Sequence, residues 1–177
     1  RVQRGFQNLF PSELMGSHVG PSPCHITGRQ HSMAFRAGVA FWGHMGVEVD
    51  VRQLSEADHQ VLSEAIALHK DHRELIHGGI YQVVDRPVGE QAWMVIAPDH
   101  SEALAALAIL ETPRTPFPGR YRFIGLDPDR HYELKLVWPG DLRPLQTNHK
   151  DVLSSTHWSG DWLMSVGLSL PILQPES

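Results

Sequence analysis

The chain has 177 residues, 41% hydrophobic and 20% charged, with 15 Lys and Arg against 20 Asp and Glu for a formal net charge of -5. That length allows one good core, or a fragment joined to a small domain, and the composition excludes a disordered or fibrous protein. The acidic balance leaves no basic surface for nucleic acid or an anionic membrane, and the longest apolar stretch, near Ala103 to Leu110, falls well short of the ~20 residues a membrane helix needs.

Val2, Phe6, Leu9 and Phe10 recur at helical spacing and stop at Pro11, so the chain opens on the last turns of a helix. No initiator Met, signal-like apolar segment or N-cap precedes it, and the helix is expected to begin upstream in a longer polypeptide. Residues 12–20 hold a short apolar run closed by Gly20 and Pro21, read as a buried strand. A loop rich in turn formers runs on to Arg29. From His31 to about Met45, small and large apolar residues mix as in a helix buried on most of its surface, with Gly43 and Gly46 as stops. Ser55-Glu-Ala-Asp58 resembles a capping box and opens a helix whose apolar stripe is Val61, Leu62, Ala65, Ile66, Leu68 and Leu75.

Gly78-Gly79 ends that helix and marks the domain boundary, dividing the chain into 1-78 and 79-177. Beyond it, short apolar runs alternate with Pro, Gly and Asp clusters at the spacing of antiparallel strands. Strands are expected near Ile80–Val84, Ala92–Ala97, Ala103–Glu111, Tyr121–Ile124, Tyr132–Leu136 and Trp162–Leu170, with a turn over Leu126–His131. Alanine and leucine favour helix at Ala103–Leu110, and the flanking turns decide for strand there only narrowly. The fold class is therefore α+β.

The 12 histidines raise a metal site, particularly where His18, His25, His31 and His44 fall in one region, but no ligand template is matched. His69 and His72, three apart on a polar helix, are read as a solvated face, and no metal or other cofactor is expected. Cys24 stands alone, so it forms no internal disulfide, which suits a reducing, cytoplasmic compartment. Beside His25 it has neither a nucleophile-elbow nor a cysteine-protease surround and reads as an inert packed thiol. The carboxylates Glu48, Asp50, Asp127, Asp129 and Asp161 offer no convincing catalytic pair and are read as structural. Trp42, Trp93, Trp138, Trp158 and Trp162 are better explained as packing than as sugar platforms.

Arg4-Gly-Phe6, Met15-Gly-Ser-His-Val-Gly-Pro-Ser-Pro-Cys-His-Ile-Thr-Gly-Arg-Gln-His31 and Phe35-Arg-Ala-Gly-Val-Ala-Phe-Trp-Gly-His-Met-Gly-Val-Glu-Val-Asp50 form a long ordered block. With Leu54-Ser-Glu56 and Ile66-Ala-Leu-His-Lys70 it resembles glycoside hydrolase family 36, chiefly α-galactosidases. Ser101-Glu-Ala-Leu104, Gly125-Leu-Asp-Pro-Asp-Arg130 and Ser159-Gly-Asp-Trp-Leu-Met164 extend the resemblance more loosely. It implies the C-terminal end of a (β/α)8 barrel, contributing its last strand and helices, followed by a small antiparallel β-sandwich domain.

By the same resemblance the chain is the C-terminal part of a retaining α-galactosidase acting on raffinose- or melibiose-type oligosaccharides. Both catalytic aspartates are then expected upstream of Arg1, and the isolated chain is expected to be inactive. Leu14 to Val19 would be the eighth barrel strand. His18, His25 and Arg29 would edge the sugar pocket, because barrel active sites form at the C-terminal ends of strands. The expected partners are the upstream barrel and N-terminal domain of the same polypeptide, a galactoside substrate, and further copies in a homo-oligomer. The alternative is a non-catalytic carbohydrate-binding or structural β-module.

Overall fold

The computed structural model describes residues 2–112, 119–138, 157–170, 173 and 175. Helix and strand are mixed, and the chain divides into two compact units, Arg1–Gly78 and Gly79–Ser177.

In the first unit, helix α1 (Val2–Gln7) leads through a 3-10 turn at Ser12–Leu14 into strand β1 (Gly16–Val19). Gln7 is buried, and its side-chain amide donates to Ser12 Oγ (3.1 Å) and to the Trp42 carbonyl (2.7 Å), which satisfies a polar group that would otherwise be costly there. Helix α2 (Met33–Ala40) starts at Ser32, whose hydroxyl accepts from the Phe35 amide, and it buries Met33, Ala37 and Ala40. Strand β2 (His44–Val47) then pairs with β1 in parallel, from Gly16↔His44 to Val19↔Val47. Parallel neighbours need a crossover, and α2 supplies it. Helix α3 (Glu56–Gly78) is capped by the Ser55 hydroxyl, 3.1 Å from the Asp58 amide, with Glu56 and Asp58 in its positive first turn.

Three expectations change here. The helix predicted to reach Met45 stops at Ala40, and one expected strand becomes two, because His44–Val47 pairs with β1. The physical reason is Gly43: a Cβ there would stand 2.5 Å from the Met15 carbonyl oxygen, so this glycine permits close backbone approach between the segments instead of merely ending a helix. His69, read as solvated, packs edge-on against Phe41 at 5.6 Å and its Nδ1 donates to the Phe41 carbonyl, because α3 lies against α2 along that side.

The second unit is built on an antiparallel sheet of β3 (Ile80–Val84), β4 (Glu90–Ile96) and β5 (Ala103–Ile109). Central β4 is buried from Ala92 to Ile96. Its residues Ala92, Met94 and Ile96 join Val84, Tyr121, Leu126, Tyr132, Leu163 and Leu168 in one core. The Tyr121 hydroxyl donates to the Trp93 carbonyl at 3.0 Å, tying the following segment to β4. The predicted turn forms, with Asp127 Oδ1 accepting from the Asp129 amide at 3.0 Å.

Three strand expectations fail in this unit. Tyr121–Ile124 contributes a single bridge, Tyr121↔Leu168, and Tyr132–Leu136 reduces to β6 (His131–Tyr132), paired with β7 (Trp158–Ser159). Trp162–Leu170 begins as helix α4 (Gly160–Ser165), because Ser159 caps it by accepting from the Trp162 amide at 3.2 Å. Trp158 and Trp162 then stack on each other at 4.0 Å and pack against the core. Among the described residues no helix is long and apolar enough to cross a membrane.

Candidate functional site

Strand β1 has two faces. Ser17 and Val19 are fully buried, and β1 lies against α2, while Gly16 and His18 alternate onto the opposite, exposed face. His18 pairs in register with Gly46, and the imidazole lies directly over that glycine: a Cβ at Gly46 would be 2.4 Å from His18 Cδ2. At the end of β2, Glu48 brings Oε1 to 3.8 Å from His18 Nδ1, both side chains remaining about half exposed. The Glu48 amide donates to the Val19 carbonyl at 3.0 Å, so the backbone fixes its position relative to β1. An imidazole and a carboxylate therefore stand together at the C-terminal ends of two parallel strands, able to orient a hydroxyl between them.

The loop after β1 is held at both ends. Arg36 of α2 donates from Nη1 to the Gly20 carbonyl at 2.6 Å, and the His31 amide donates to Ser22 Oγ at 3.1 Å. Between these anchors the chain folds back tightly, with Cys24 N to Arg29 O and Gly28 N to Cys24 O both 2.8 Å. Gly28 adopts φ +67°, a conformation that favours glycine. A hydrogen bond with the Thr27 hydroxyl, then the amides of Thr27 and Ile26 and the Arg29 charge, hold the half-buried Cys24 thiol below its ordinary pKa. Expected as inert packing, Cys24 is partly accessible and polar in its surroundings.

Of the residues singled out in the sequence, the structure brings His18 to Glu48, which had been read as structural. His25 and Arg29 share the loop, but their side chains are exposed and make no hydrogen bond or ion pair with a described residue. Glu48 was missed because the start of the strand that leads into it was taken for helix; the Gly46 to Glu48 spacing carries the signal only once β2 is recognised. Asp50 turns away into its own loop, accepting from the backbone and guanidinium of Arg52, and these bonds hold its carboxyl below the usual range. Among the described residues, no group of three or more His, Cys, Asp or Glu is arranged to hold a metal ion.

Two family models match the chain: Melibiase over residues 1–79, and the glycosyl hydrolase family 36 C-terminal domain over residues 90–175. The chain is 36% identical to an α-galactosidase of Escherichia coli, across 99% of this chain and 26% of that protein. It is 31% identical to α-galactosidase AgaA of Geobacillus stearothermophilus, across 97% of this chain and 21% of that protein. The crystal structure of AgaA superposes with a TM-score of 0.80, covering 98% of this chain and 22% of that one. The Lactobacillus brevis α-galactosidase structure does so with the same TM-score at 28% identity, again across 98% and 22%. The chain thus spans about a fifth to a quarter of the length of the curated relatives it matches.

Proposed function

The chain belongs to glycoside hydrolase family 36, and from that premise we propose that it is the C-terminal part of a retaining α-galactosidase that hydrolyses terminal α-linked galactose from raffinose- and melibiose-type oligosaccharides. The observation that carries the proposal is the parallel β1–α2–β2–α3 unit, whose strand ends bear His18 and Glu48, in a chain that matches α-galactosidases along nearly its whole length. In this reading the first unit closes a (β/α)8 barrel. Since a second parallel strand follows β1, β1 and β2 are its seventh and eighth strands, and the exposed face of His18 is the barrel interior. The second unit is the small antiparallel β-sandwich that follows the barrel.

Retaining glycosidases use two carboxyl groups about 5–5.5 Å apart, one as nucleophile and one as acid then base. Both are supplied by barrel strands upstream of Arg1 in the same polypeptide, which also carries an N-terminal domain. The present chain walls the pocket, with His18 held by Glu48 and with His25 and Arg29 on the rim. Doubly substituted variants of AgaA have been crystallised in complex with raffinose and with stachyose, which supports this substrate class. The lone Cys24 accords with a cytoplasmic enzyme, and a homo-oligomer is its working form.

Purified 177-residue chain incubated with a chromogenic α-galactoside is expected to show no turnover, whereas a polypeptide extended through an upstream barrel turns it over. Sustained hydrolysis by the chain alone would refute this division of labour. Calorimetry with galactose and melibiose provides the second check, because measurable affinity in the chain alone favours a carbohydrate-binding module.

A further inference from the structure

Away from the C-terminal ends of β1 and β2, the imidazoles of His44, His69 and His77 meet in a groove of about 260 Å³. His44 and His77 are in edge contact with ring centroids 4.4 Å apart, and His69 lies 6.1 Å from His77. Each ring nitrogen facing the backbone meets a carbonyl: His44 Nε2 at Glu13 O (2.7 Å), His69 Nδ1 at Phe41 O (2.9 Å) and His77 Nε2 at Gly43 O (3.4 Å). A carbonyl oxygen only accepts, so each of these nitrogens carries its hydrogen, and a further proton enters on the other nitrogen. It brings charge to the groove without creating a bond to the backbone.

We infer that this cluster is an acid-sensitive latch: its imidazoles fasten the C-terminal half of α3 to the start of β2 and to the Phe41–Gly43 segment, and protonation of His69 loosens that grip. The charges around the groove support this. From α3 come Lys70 and Arg73, which make no ion pair with a described residue, and from β2 comes His44 itself. The turn between α2 and β2 brings Phe41, Trp42 and Gly43, none of them titratable. The 3-10 turn brings Glu13 through its main-chain oxygen, its carboxylate lying outside the groove lining. The remaining lining, Met45 and Ile66, is apolar and gives an added charge no solvation.

His69 behaves accordingly. Burial, aided by His77, Arg73 and His44, outweighs the bond to Phe41 O and holds its pKa below the ordinary 6.5. The unfolded chain therefore takes the proton first. The stabilisation from neutral His69 is complete above pH 6.5 and is lost as pH falls from there through the lower folded value. Because Phe41 and Gly43 lead directly into β2, the strand that presents Glu48 is secured by an acid-labile fastening at its other end.

Amide replacements test this, since His69→Asn places a donor where Nδ1 was, and His44→Gln and His77→Gln do so for Nε2, keeping the backbone bonds but not the titration. Urea midpoints of the full 177-residue chain are expected to fall between pH 7.5 and 5.5, and the triple variant is expected to lose less than half as much. An equal fall in both proteins overturns the inference, since the remaining histidines are common to them. Should the triple variant not fold at pH 7.5, the exposed Lys70→Gln/Arg73→Gln pair decides. The NMR titration midpoint of His69 then moves upward toward 6.5 and the acid loss shrinks, whereas an unmoved midpoint overturns the latch.

Discussion

Gly43 and Gly46 show how a residue's neighbours decide what a side chain there would cost. A Cβ at Gly43 meets the Met15 carbonyl at 2.5 Å and Ser17 Cβ at 3.1 Å, groups held by the backbone of β1. Gly43→Ala is expected to cost about 2 kcal/mol, at the level of other overpacked cores, read as a shift in urea midpoint. At Gly46 the obstacle is the half-exposed His18 ring, which can swing away. Gly46→Ala should therefore change stability by less than about 1 kcal/mol while displacing the His18 ring resonances in NMR. Arg86 and Glu90 are a third case, with side chains 3% and 8% exposed and Nε 2.8 Å from Oε2. Arg86→Ala leaves a buried carboxylate unpaired and also strips donors from the Gly119 and Arg120 carbonyls, so a loss of about 3 kcal/mol in chemical denaturation is expected.

At the level of elements, caps and ladders outweighed propensity. Ser55 announces α3 in the sequence because a capping residue and an apolar stripe of period 3.6 coincide. Ser159 caps α4 in the same way, but only six residues follow, and Trp162, Leu163 and Met164 read equally well as strand. Ser159→Ala is expected to destabilise the chain by about 1 kcal/mol in thermal melts, a loss that a strand at this position would not produce. Strand β5, Ala-Leu-Ala-Ala-Leu-Ala-Ile, would favour helix in isolation. It is a strand because all seven of its residues pair in register with β4, from Ala103↔Ile96 to Ile109↔Glu90. Strand β2 went unrecognised for the opposite reason: four residues with a central glycine carry no period long enough to read.

In the molecule as a whole, Val2, Leu9 and Leu14 are 89%, 80% and 63% exposed near the start of the first unit, where the proposed upstream barrel would cover them. Apolar groups left open in this way promote association, so the isolated chain should self-associate in sedimentation, and Leu9→Ser with Leu14→Ser should reduce it. The sequence by itself determined the family, the helix-to-strand change of texture after Gly79, the capped helix α3 and the sheet of β3, β4 and β5, because these rest on local periodicity, turn chemistry and long ordered motifs. Only the tertiary structure decided that His44–Val47 is a strand beside β1, that Glu48 stands by His18, and that three histidines spread over 34 positions share one groove. Those facts depend on which segments pair across the fold, and pairing between distant segments leaves no spacing in the chain from which to read it.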